Sequence, residues 1–338
     1  MAKLPVTIVG GETLLGHELH DLVAERHLPY RTHSVQGQEG GDRIPTGEDD
    51  SAVVLAPLDK DAVAGAAAVL LAGSAASSRK AVKLLRSAGS RAAVIDLTGE
   101  LDDQPGAKLR CPAIEKSRPD IEASRALHIV PHAGAAVPAE FLTLVHGGFP
   151  IQRVVAQVLV PASEQGRRGV VELQKQTVAL LSLKKLPKDS FDAQLAFSVL
   201  PAYGADAPVP LEQTELRIER HLASLLLQAG GVPMPSVRVL QAPVFHGLSL
   251  SLWIEFEEAV DAARIESFLS DAGVDVRGTD LDPPTNVGMT GQTGFAVGPV
   301  HTDRNNRRAC WLWLAADNFR VSVEIALELL RQLTQAEA

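Results

Sequence analysis

Three sets of residues have types and spacings suited to chemistry. The first is 10-GGETLLG-16, which follows the apolar run VTIVGG (6–11) and opens an apolar-striped segment. A glycine turn between a buried strand and a helix offers backbone N–H groups and the positive end of the helix dipole to a phosphate. Gly10 and Gly16 fill the outer positions of such a turn. Thr13 stands at the middle one, where a Cβ crowds a phosphate and a hydroxyl can donate to it. A plain strand-to-helix turn satisfies the same pattern. No acidic residue or arginine marks the end of the next strand, around 32-THSVQGQ-38, so NAD and NADP are not distinguished. The second set is the two cysteines. Cys111 in 110-RCPAIE-115 has no adjacent histidine, and Cys310 lies in the strand-like CWLWL; both read as small buried hydrophobes. The third set is His128 and His132, four residues apart. That spacing suits a metal pair on a helix, but the segment is strand-like and contains Pro131, so no metal site is expected. Arg217, Arg220 and Arg238 read as solvated or ion-paired side chains, and 47-GEDD-50 as a solvated loop.

The elements that must position these residues fall into two styles. Up to about residue 130, short apolar runs (6–11, 30–35, 51–58, 66–73, 92–97, 126–130) alternate with helical stripes at 14–27 and 77–89. The second stripe ends at Gly89, a C-cap residue, and 36–50 reads as a polar surface loop. Such alternation predicts βαβ units and a parallel sheet covered on both faces. Beyond residue 150 the pattern changes to a long strand at 151–163, helices at 167–184 and 211–229, and β-type alternation through 236–257. A helix at 261–273, a strand at 274–278 and a hairpin over 296–316 turning at Asp303–Asn306 follow. This predicts an α+β domain with a mixed sheet, one face of which is a natural dimer surface. A final helix is expected from Asn318, its cap, with Val321, Ile325, Leu329 and Leu333 as the apolar stripe.

Composition narrows the partners. The chain has 338 residues, 46% hydrophobic and 22% charged, so about two domains with their own cores are expected. The net charge of −9 argues against nucleic acid or an anionic membrane surface as the main partner. Two cysteines make no disulfide framework, and no targeting or membrane-spanning segment is visible, so the cytoplasm is expected.

Taken in order, several short segments give the chain a specific resemblance. The opening 8-IVGGETLLGHE-18 resembles G-A-T-G-x-V-G-x-E, 68-AVLLAGSAASS-78 resembles S-A-G-G-x-x-S, and 94-VIDLTGE-100 resembles V-I-D-N-S-S. Further on, 129-IVPHAGA-135 stands at an N-P-N-C-T/S-T turn, 163-SEQGRRGVVEL-173 resembles S-G-A-G-x-x-G-V-x-E-L, 241-QAPVFHGLSLSLWIEF-256 resembles R-V-P-V-x-x-G-H-S, and 317-DNFR-320 resembles D-N-L-x-x-G. In this order they resemble the aspartate-semialdehyde dehydrogenase family over nearly the full length, most closely its usg-type paralogues, which lack the catalytic cysteine.

The resemblance implies an α/β fold: a Rossmann-like NAD(P)-binding domain at 1–130, onto which a helix at 317–336 packs back, and a dimerisation and substrate domain with a mixed sheet at 131–316. It implies NADP or NAD at Gly10, Glu12, Thr13, Leu14, Leu15, Gly73 and Asn318. It also implies reductive dephosphorylation of an acyl phosphate by a cysteine, with a histidine as acid/base, an arginine clamping the substrate carboxylate and a glutamine orienting the intermediate. Those four roles fall here on Ala133, Leu248, Gln241 and Val160 respectively. Asp102 lies near the place of a further arginine. His132 beside Ala133, and His246 two residues from Leu248, are the substitutes within reach; in a strand, 246 and 248 face the same side. The expectation is a homodimeric homologue without thioester chemistry that binds a nucleotide, a metabolite or a protein partner. The alternative is an active NAD(P)-dependent oxidoreductase of amino-acid biosynthesis with relocated catalytic residues.

Overall fold

A computed structural model describes residues 3–37, 55–115 and 127–335. All but the first two residues of the loop expected over 36–50, and the first part of the strand expected at 51–58, lie outside them. In chain order the elements are β1 (Leu4–Val9), α1 (Leu14–Glu25), β2 (Tyr30–Val35), α2 (Lys60–Val63), β3 (Ala68–Leu71), α3 (Ala75–Ala88), β4 (Ala93–Asp96), β5 (Ala107–Leu109) and β6 (Leu127–Ile129). Then come α4 (Ala133–Gly148), β7 (Ile151–Val160), a 3-10 turn (Ala162–Gln165), α5 (Gly166–Leu181), α6 (Leu211–Ala229), β8 (Ser236–Gln241) and β9 (Leu248–Phe256). The chain ends with α7 (Ala262–Asp271), β10 (Asp275–Val276), β11 (Phe295–Val297), β12 (His301–Thr302), β13 (Ala309–Ala316) and α8 (Asn318–Gln335). It divides into two compact units, Met1–Pro131 with Ser322–Ala338, and His132–Val321.

The first unit holds a six-stranded sheet in the order β2-β1-β3-β4-β6-β5, every pair parallel. From β1 the chain turns first to β2 on one side and then to β3 on the other, which makes the carboxyl ends of β1 and β3 a topological switch point. Its strands are short continuous apolar runs because both faces are covered. Val6, Ile8 and Leu70 pack with Leu19 and Leu22 of α1 and with Val323, Leu329 and Leu330 of α8. Val9, Val69 and Leu71 pack with Ala81 and Leu85 of α3 on the other side. Ser74 and Ser77 form a reciprocal capping box that starts α3, and Gly89 in the left-handed region ends it.

The second unit is built on a mixed sheet in the order β10-β11-β13-β9-β7-β8, with β12 paired to β13. Period-two alternation sends Val154, Ala156 and Val158, Leu250, Leu252 and Ile254, and Leu312 and Leu314 to one buried face. The opposite face carries Val155, Trp253 and Trp311, which lie in register across β7, β9 and β13. Val155 and Trp311 are 42% and 44% exposed.

Three elements differ from the sequence expectation. Residues 236–257 are two strands, not one stretch. Pro243 lacks an N–H, and Gly247 has φ +87° with Asn286 O only 2.6 Å from where a Cβ would stand, so the chain turns there. His246 therefore sits on a loop and shares no strand face with Leu248. The segment after Pro131 enters a 16-residue helix, α4, despite Pro138 inside it. The cap of α8 is Asp317, whose Oδ1 accepts the N–H groups of Phe319 and Arg320, and not Asn318. Among the described residues no helix is long and apolar enough to cross a membrane.

Candidate functional site

Two turns carry the expected chemistry, one in each unit. In the first unit, Gly10 leaves β1 with φ +95°, and a Cβ there would stand 2.4 Å from Gly73 N. A Cβ on Gly16 would stand 2.1 Å from Gly10 O. These two glycines are required by backbone packing alone. Thr13 is the N-cap of α1: its Oγ1 accepts the Gly16 N–H at 2.9 Å and lies 2.9 Å from both Gly10 O and Ala72 O. The hydroxyl proton is thereby committed to carbonyl oxygens. Glu12 Oε1 accepts the Gly37 N–H at 2.7 Å, and among the described residues Glu12 Oε2 is buried without a hydrogen-bond partner.

In the second unit, His132 caps α4. Its Nδ1 accepts the Gly134 N–H at 2.9 Å, which assigns the ring proton to Nε2, and Nε2 lies 2.6 Å from Glu164 Oε1. The backbone N–H of His132 donates to His221 Nδ1 at 3.0 Å. Glu164 comes from the 3-10 turn; His221 and Arg217 come from α6, four residues apart and so on one helix face. Burial would raise the Glu164 carboxyl, but its electrostatic and hydrogen-bonding interaction with the His132 ring, together with the Arg217 charge, outweighs it and holds its pKa below the ordinary value. With both ring nitrogens engaged, His132 has no free lone pair to take a proton. The pair fastens the start of α4 to the turn after β7.

The positions the resemblance assigns to catalysis lie in the same unit. Ala133 opens α4 and is 4% exposed; Leu248 opens β9 and is 1% exposed; Val160 ends β7 and is fully buried. Gln241, also fully buried, donates through Nε2 to Val160 O at 2.9 Å and Ala242 O at 3.0 Å. Its Oε1 accepts the Tyr203 hydroxyl at 2.6 Å. Burial pushes the Tyr203 phenol up, so it stays a donor. A glutamine with every polar atom satisfied inside the protein has nothing left to clamp a substrate carboxylate. His246 packs 5.9 Å from the Phe319 ring and is shifted down by burial against the pull of Asp317. No hydrogen bond among the described residues joins it to His132. Asn318 donates to Ser163 Oγ at 3.3 Å and accepts the Gly247 N–H at 3.1 Å, tying the 3-10 turn to the loop before β9. Cys111 lies in the first unit, 1% exposed, and Cys310 lies on β13, its thiol pushed up by burial. Among the described residues no group of three or more His, Cys, Asp or Glu could hold a metal.

Residues 144–321 match the model of the semialdehyde dehydrogenase dimerisation domain. The chain is 30% identical over 334 residues to a USG-1 protein homolog of Pseudomonas aeruginosa, covering 98% of this chain and 97% of that one. The chain belongs to the semialdehyde dehydrogenase family. Among solved structures, a probable aspartate-semialdehyde dehydrogenase from Pseudomonas aeruginosa superposes with a TM-score of 0.82 at 28% identity, covering 99% of both chains. An aspartate-semialdehyde dehydrogenase with NADP from Candida albicans superposes with a TM-score of 0.67 at 12% identity over 99% of both chains, which shows the shared fold alone.

That last structure raises the question of whether this family member's own residues fit a dinucleotide. A pyrophosphate needs open N–H donors and close backbone approach at the middle position of the turn. Here that position is Thr13, its hydroxyl committed, and a carboxylate precedes it at the mouth of α1, adding a like charge. The residues at the turn do not fit the group, and no step is derived through it.

Glu164 and His221 were not legible as partners of His132. A signal existed for Glu164: it replaces the glycine of the resembling S-G-A-G run, and a carboxylate in a packed turn must find a cation or donor.

Proposed function

We propose that this semialdehyde dehydrogenase homologue has lost acyl-thioester chemistry and acts as a homodimer that binds a metabolite or a protein partner. One observation carries the reading. The three positions that resemblance assigns to the nucleophile, the acid/base and the carboxylate clamp hold Ala133, Leu248 and Gln241, all buried, with the Gln241 amide fully spent inside the protein. Attack on an acyl carbon requires a thiolate, and transfer of a proton requires a titratable group. Alanine and leucine supply neither. Neither cysteine is a substitute: each is 1% exposed, and burial disfavours the Cys310 thiolate. The matched dimerisation domain and the row Val155, Trp253 and Trp311 on the outer sheet face support a homodimer.

The test is a turnover assay on purified protein with aspartate semialdehyde, phosphate and NADP, followed by NADPH absorbance. The expected result is no rate above that of the heat-denatured protein. A protein-dependent rate would overturn the reading.

A further inference from the structure

The carboxyl ends of β1 and β3 are where a doubly wound sheet opens a crevice for a ligand. In this protein the crevice holds the chain's own backbone. Gly37, two residues beyond β2, lies against Gly10 at the end of β1 and Gly73 just beyond β3: a Cβ on Gly37 would stand 2.4 Å from Gly10 Cα and 2.8 Å from Gly73 Cα. Three glycines from three neighbouring strand ends thus pack backbone to backbone, with no room for a side chain among them. The peptide is pinned on both of its polar sides. Its carbonyl accepts from Ser74 Oγ at 2.8 Å and from the Ser74 N–H at 3.1 Å, and its N–H donates to Glu12 Oε1 at 2.7 Å. Gln36, just before it, donates its N–H to Ala56 O at 3.0 Å.

We propose that Gln36–Gly37 is a closed strap over the dinucleotide crevice of the first unit, that Glu12 is its latch, and that a dinucleotide is admitted only when the latch is broken. Glu12 works in two ways. Its carboxylate compensates the positive mouth of α1, the role a pyrophosphate plays in an open turn. It also holds the strap down through a charge-assisted hydrogen bond. The glycines that serve the fold, Gly10 and Gly16, are present; the middle position that would serve the ligand is Thr13. The inference concerns the first unit and stands or falls separately from the loss of thioester chemistry in the second.

Calorimetric titration of the full-length protein with NADP, and separately with NAD, tests it in the wild type and two variants. The wild type is expected to bind neither below about millimolar concentration. Glu12→Ala removes the latch and is expected to bind at least one of them about tenfold more tightly or better. Gly37→Ala acts by another route, because its Cβ cannot be housed against Gly10 and Gly73, and is expected to gain binding in the same direction. Hydrogen exchange of the Gly37 amide, slow in the wild type, should quicken in Glu12→Ala without ligand. Micromolar binding by the wild type overturns the proposal. So does unchanged affinity in both variants when the Gly37 amide of Glu12→Ala exchanges freely. Should Glu12→Ala fail to fold, Gly37→Ala alone decides by the same criterion.

Discussion

The two turns that should carry chemistry have kept different things. In the first unit the backbone of the turn survives: Gly10 and Gly16 remain, each forced by a contact no side chain could tolerate. What differs from the resembling motif is half-buried at the mouth of α1, with Thr13 at the middle position and Glu12 beside it. In the second unit the changes lie inside. Ala133, Leu248 and Gln241 are packed and hydrogen-bonded as core, while the polar groups that replace them in importance, His132 and Glu164, bind one another. A turn closed at its surface can be reopened by one residue. A site converted to core cannot, because restoring a charged group there means burying it without a partner.

The largest expected effect follows from that contrast. Gln241→Arg returns the residue that the resemblance places at the substrate clamp, but into a fully buried position whose neighbours are the carbonyls of Val160 and Ala242 and the Tyr203 hydroxyl. The two carbonyls offer partial compensation, and no carboxylate is hydrogen-bonded to Gln241 in that network. We expect a loss of about 3–5 kcal/mol in unfolding free energy, read from urea denaturation. A variant as stable as the wild type would mean that position 241 opens onto free space, and the contrast between the turns would fail.

A middle-sized effect concerns the pair that now holds the second turn. Glu164→Gln keeps the shape and removes the charge, and should cost about 1–3 kcal/mol near neutral pH. The pH dependence fixes the cause. Glu164 has a folded pKa below its ordinary 4.5, so its contribution is present above that value and fades as pH falls through the lower folded value. Wild type and variant should therefore differ in urea midpoint near neutral pH and converge in the acid limb, below the ordinary carboxylate range. A gap that stays constant down to the acid limb would show that shape, and not charge, matters at this position.

How much of this was legible in the sequence depends on the range of the interaction. The alternation of short apolar runs with helical stripes gave the parallel sheet, and Gly89 gave the end of α3, because these are local patterns. The hairpin at Asp303–Asn306 was equally local. The helix α4 was missed because ten of its sixteen residues are buried, so it shows no polar face to set the 3.6 period. The break at Gly247 depends on Asn286, and the partners of His132 come from positions 164 and 221; no window of neighbouring residues contains them. Asp317 and Asn318 are both good caps, and only the structure shows which side-chain oxygen accepts the first helical N–H groups.

The smallest effect bears most directly on the proposed loss of thioester chemistry. Ala133→Cys restores a thiol at the first position of α4. The added sulfur is small, so stability should fall by about 1–3 kcal/mol or less. A helix N-terminus lowers a thiol's pKa and makes it reactive when solvent and reagent can reach it. Ala133 is 4% exposed, and the neighbouring imidazole is engaged at both nitrogens, so neither access nor a base is provided. The new thiol should stay unlabelled by Ellman's reagent in the native protein, label on unfolding, and confer no turnover of aspartate semialdehyde. Rapid native labelling would show the position open to solvent. The second turn would then resemble the first, altered at its surface and not filled, and a single side chain would account for the missing nucleophile.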